Sequence, residues 1–139
     1  MRVAILAAVA AAIVLSAAPV PGNSAKAASS DAIPFTSAQA TLGAKVYLQS
    51  CASCHGTNLH GISGPALVGK TSGIAQQSLV EVYEYVSQQM PQTAPGSLSK
   101  AQYASILAFI AQKNGHRPGS LPLTQSVETT DSATIEAHR

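Results

Sequence analysis

The chain has 139 residues, of which 46% are hydrophobic and 10% charged, with a formal net charge of +2 and two cysteines. That length leaves room for one domain. Without a basic patch or a block of like charges, the sequence gives no basis for nucleic-acid binding or for a solvating charged tail.

The hydrophobic fraction is concentrated at the start. Met1-Arg2 precedes an apolar run from Val3 to Ala18, broken only by Ser16. A helix that spans a bilayer needs about 20 apolar residues, so this run is short for an anchor. A basic start, an apolar stretch and the small-x-small site Ala25-Lys26-Ala27 together describe a secretory signal peptide. Residues 1–27 are predicted to be removed by cleavage after Ala27. An uncleaved membrane tether is the alternative, and no cysteine lies near the cut to carry a lipid. Cleavage removes Arg2 and Lys26, which leaves six basic residues against six acidic ones. The mature chain is therefore near neutral.

Residues 28–35 read as a linker, with Pro34 discouraging helix before it. Thr36 and Gln39 have capping-box spacing, and Leu42, Val46 and Tyr47 recur at helical spacing up to about Ser50. The segment from Gly56 to Gly73 holds five of the ten glycines. Leu59, Ile62, Pro65, Leu67 and Val68 interrupt those glycines with groups suited to burial. The segment is predicted to be an ordered loop that passes close to a flat surface. Ser78 with Glu81 opens a second helix, with Leu79, Val82 and Val86 on one stripe, ending before Met90-Pro91. Met90 is then expected in an extended turn. Ser99 with Gln102 opens a last helix carrying Tyr103, Ile106, Leu107, Phe109 and Ile110, which stops at Asn114-Gly115. No strand pattern appears. Leu121 and Leu123 are expected to touch the domain, and residues 124–139 to form a disordered polar tail.

The chemistry is concentrated in Cys51-Ala52-Ser53-Cys54-His55. C-x-x-C-H is the covalent haem-attachment pattern. Two thiols at that spacing add to the two vinyl groups of one haem, and the histidine that follows becomes an axial iron ligand. A structural disulfide or a thioredoxin-like thiol pair is the competing reading. The latter needs a preceding strand, and none is present. For the second axial ligand the candidates are Met90, His60, His116 and His138. His60 follows His55 too closely to reach the opposite haem face, His116 lies beyond the last helix, and His138 lies in the tail. Met90 is assigned, and the other three histidines are expected at the surface.

These residues make the chain similar to small bacterial class I cytochromes c, mono-haem proteins with His/Met ligation, with the resemblance covering about 36–123. It implies an all-α fold of three to four helices wrapped around one covalent haem c. By that resemblance Gly43 and Tyr47 on the first helix cross Ile106 and Phe109 on the last. It also implies that the carbonyl of Pro65 accepts a hydrogen bond from His55 and orients the imidazole. The chain has no tryptophan, so propionate partners do not carry over, and Tyr83 and Tyr85 are only candidates. His/Met ligation implies a raised potential and no open iron position. That points to a one-electron carrier rather than an enzyme, an exported periplasmic protein without membrane insertion after cleavage. The pattern Met90-Pro91, Pro95-Gly96-Ser97-Leu98-Ser99 and Asn114-Gly115 to Pro118-Gly119 resembles cytochromes serving periplasmic quinoprotein dehydrogenases. Transient docking with such a dehydrogenase, an oxidase or another cytochrome is the implied partnership. A permanent place in a larger oxidoreductase, or a haem enzyme or gas sensor with a displaceable sixth ligand, are the alternatives.

Overall fold

The computed structural model describes residues 33–123. The predicted signal peptide, most of the linker, the tail and His138 lie outside the described residues. Four helices follow in order: α1 Ser37–Ser50, α2 Ala52–His55, α3 Leu79–Gln89 and α4 Lys100–Lys113. No extended strand occurs among the described residues, so the expected all-α architecture holds there.

Each main helix begins where its cap residue supplies an oxygen to a free backbone N–H. Ser78 and Ser99 form reciprocal capping boxes with Glu81 and Gln102. Thr36 accepts from the Gln39 N–H at 3.1 Å, but the Gln39 side chain does not return the bond. It reaches across the molecule instead, donating to the Leu123 carbonyl at 2.7 Å and accepting from the Leu123 N–H at 2.8 Å. This clasp ties the chain after α4 to α1. Leu123 is buried as expected, whereas Leu121 is 67% exposed.

α4 is the centre of the domain. Every residue from Tyr103 to Ala111 is buried, well beyond the predicted stripe. A helix covered on nearly all sides must satisfy its polar groups internally, and the buried Ser105 hydroxyl donates to the Ala101 carbonyl at 2.7 Å. The helix ends in a Schellman motif. Gly115 has φ +98°, its N–H donates to the Gln112 carbonyl, and the His116 N–H donates to the Ala111 carbonyl, both at 3.1 Å. His116 is thereby folded back and only 7% exposed. The expectation of a surface histidine fails there, because the cap turns the chain inward; His60 is exposed as predicted.

The most extensive helix contact is between α1 and α4. It is close because Gly43 lies directly over the α4 backbone, where a side-chain carbon would collide with the Ser105 carbonyl. One turn on, the Tyr47 and Phe109 rings pack with centroids 5.3 Å apart and planes tilted by 51°.

Candidate haem site

α1 ends at Ser50, and Cys51 caps it while also starting α2. The Cys51 N–H still donates to the Tyr47 carbonyl at 2.8 Å, so the two helices meet at a bend rather than a loop. The single turn of α2 presents Cys54 and His55. Its carbonyls find partners in the glycine-rich loop: Ile62 and Gly64 N–H donate to the Cys54 carbonyl, both at 2.9 Å, and Gly61 N–H donates to that of His55 at 2.8 Å. The buried Tyr47 hydroxyl donates to the Gly56 carbonyl at 2.7 Å and fixes the turn from the other side.

The apolar residues of the loop divide. Leu59 is buried, Leu67 and Val68 are half-buried, and Ile62 and Pro65 are exposed. Exposure at Pro65 follows from its position on the rim, where its carbonyl lies 2.8 Å from Nδ1 of His55. Gly64 passes so close to that ring that a Cβ would stand 2.9 Å from Cε1 and 3.0 Å from Nδ1. Further along, Asn114 holds the loop to α4. Its side chain donates to the Leu67 carbonyl at 2.9 Å and to that of Ile110 at 3.0 Å, and accepts from the Gly69 N–H at 3.0 Å. Sequence pattern did not single out Asn114 or Gln39 for these roles, since their partners lie 45 to 84 residues away.

α3 ends at Gln89, and Met90, its C-cap, is extended (φ −120°, ψ 153°) and precedes a cis peptide bond to Pro91. Cys51, Cys54, His55, Pro65 and Met90 all line one cavity of about 810 Å³. That size lies in the range of about 300–1,000 Å³ typical of cofactor pockets. Its walls are largely apolar, with Leu67, Ile74, Val82, Val86, Ile106 and Ile110 among them, and Glu81 is the sole carboxylate that lines it. Such a lining suits a flat, apolar macrocycle, and the missing side chain at Gly64 leaves room for an imidazole beside it. His116 and His60 do not line the cavity. Of the two tyrosines considered for the propionates, Tyr85 lines it and Tyr83 does not.

Both thiols are free. Burial, reinforced by the neighbouring Cys54, pushes the Cys51 thiol up to about 11.

Comparison with known proteins bears on the fold and the family. Residues 38–110 match the family model described as cytochrome C oxidase, cbb3-type, subunit III. Cytochrome c-551 of Bacillus subtilis (strain 168) is 47% identical over 45 residues, covering 32% of this chain and 40% of that protein. The crystal structure of the sulfane dehydrogenase SoxCD from Paracoccus pantotrophus superposes with a TM-score of 0.55 at 28% identity, over 68% of this chain and 52% of the matched one. The chain thus spans about half the length, or less, of the proteins it matches. The C-x-x-C-H segment, the helical fold and the matched span together mean that the chain belongs to this cytochrome c family, whose members transfer electrons through a covalently bound haem c.

Proposed function

We propose that the chain is an exported one-electron carrier in which Cys51 and Cys54 form the thioethers to a single haem c and His55 and Met90 are the axial iron ligands. A haem held in this way changes iron oxidation state by one electron without exchanging a ligand. The observation that supports this best is the shared cavity: two thiols, one imidazole and one thioether line the same apolar space, and no other histidine or methionine of residues 33–123 does. The protein's part is positional. The Pro65 carbonyl orients the His55 ring and raises its donor strength. The Tyr47 and loop hydrogen bonds hold the α2 turn still, and the apolar walls exclude water. The periplasm is the proposed compartment. No helix among the described residues is long and apolar enough to cross a membrane.

The proposed partners are redox proteins met in transient encounters: a dehydrogenase such as a quinoprotein on one side, and an oxidase or another cytochrome on the other. Lys45, Lys70, Lys100 and Lys113 are the only lysines of the described domain, so electrostatic steering should be weak. The SoxCD likeness and the name of the family model favour one second reading, a stable cytochrome subunit of a larger oxidoreductase.

Two measurements test the ligand assignment. The oxidised protein should show the weak red absorption band of an iron–sulfur bond, and the reduced protein should bind carbon monoxide slowly. Met90→Ala should remove the band and speed carbon monoxide binding. A wild-type protein without the band, and with fast carbon monoxide binding, would move the reading to an open-site haem protein.

A further inference from the structure

The connection between α3 and α4 carries Met90, and one side chain joins its two ends. Tyr103, in the first turn of α4, is 3% exposed. Its hydroxyl donates to the Met90 carbonyl at 2.6 Å and lies 3.4 Å from the Leu98 N–H, which donates to it. The Met90 carbonyl also accepts from the Gly96 N–H, at 3.3 Å. Residues 92–97 between these ends are all exposed. The other backbone bonds across them, Ala94 to Pro91 and Ser97 to Ala94, are local turns that attach the loop to nothing outside itself. The phenol is fixed at its base by the most deeply buried helix of the domain, so it is a rigid strut between that helix and the Met90 backbone.

We infer that Tyr103 is the positioning residue that holds Met90 in place and thereby sets how readily the thioether sulfur leaves the iron. This rests on Met90 being the ligand. Segments tied down by few interactions open locally at less cost than global unfolding, and the exposed stretch 92–97 is such a segment. Removing the hydroxyl deletes its shortest anchor and leaves the ring packed in α4. The population with the sulfur off the iron should then rise about three- to tenfold, as loss of one net hydrogen bond implies.

The test uses the full-length haem-loaded protein and Tyr103→Phe. Imidazole is titrated against the red band of the oxidised form, carbon monoxide association is timed on the reduced form, and helix unfolding is followed in denaturant. The variant should keep the band, bind imidazole about three- to tenfold more tightly and bind carbon monoxide faster by a similar factor. Its unfolding midpoint should move less than these ligand constants do. Unchanged imidazole and carbon monoxide constants would overturn the inference. So would ligand loss that tracks helix unfolding in step. Met90→Ala separates the two levels. If it keeps the band, the ligand assignment itself fails. If it loses the band while Tyr103→Phe behaves as wild type, only the strut fails. Should Tyr103→Phe not mature, the reduced wild-type protein supplies the answer by NMR. A slowly exchanging Tyr103 hydroxyl proton sustains the strut, and a freely exchanging one refutes it.

Discussion

Replacing Gly43 by alanine would probe the helix crossing on which the domain is built. In an exposed helix this change stabilises, by about 0.8–1.0 kcal/mol, because alanine has the better helix propensity. Here the added carbon points at the α4 backbone, into the Ser105 carbonyl group, and would stand 3.0 Å from the Ile106 nitrogen. Carbon contacts are normally about 3.5–4.0 Å. A backbone carbonyl inside a buried helix cannot rotate away, so α1 and α4 must move apart. Overpacking of this kind costs about 1–3 kcal/mol and at times more. The Tyr47–Phe109 contact one turn away lies on the same seam and would loosen with it. Collision with a backbone carbonyl puts the cost at the upper end of that range, about 3 kcal/mol, so after the propensity gain of about 1 kcal/mol is subtracted a net loss of about 2 kcal/mol is expected, carried by contact between helices and not by the haem ligands. Denaturant unfolding of the haem-loaded protein, followed by far-UV circular dichroism, measures it. A neutral or stabilised Gly43→Ala would show that the helices do not cross here, and the packing scheme would fall with that result.

Three further outcomes follow from the same geometry. Asn114→Ala should cost about 2–4 kcal/mol, because it strands the Gly69 N–H and the Leu67 carbonyl together; a loss under about 0.5 kcal/mol in thermal or denaturant unfolding would contradict that role. Gly64→Ala should tilt the His55 ring away from the Pro65 carbonyl, weaken imidazole donation and raise the reduction potential, as read by redox titration; an unchanged potential would mean the loop yields instead of the ring. Burial, with a smaller contribution from Cys51, raises the Tyr47 phenol from 10.0 to about 12. The folded protein therefore keeps a proton that the unfolded chain gives up above about pH 10. Tyr47's contribution is complete below that pH and fades as pH climbs towards 12. Tyr47→Phe should lower stability by about 1–3 kcal/mol at neutral pH, by orphaning the Gly56 carbonyl, and should flatten the alkaline decline. An alkaline unfolding curve with the same slope in both proteins would refute the assignment.

The sequence by itself determined what is written in short spacings. C-x-x-C-H places two thiols and an imidazole on one helical turn. Ser78 and Ser99 open helices because their partners stand three residues away, where the backbone brings them together before any tertiary contact forms. The helix ends at Met90-Pro91 and Asn114-Gly115 are local in the same sense. Tertiary structure decided the rest, because one side chain often has two possible partners and only the closed fold chooses. Gln39 has the spacing of a capping box yet serves Leu123, 84 residues on. His116 looks like a surface residue after a helix, but the cap folds it inward. Tyr103 falls on the apolar stripe of α4, yet its hydroxyl braces the Met90 segment. Periodicity reports which face of an element is apolar; it carries no information about where a polar atom on that face will find its partner once distant segments meet.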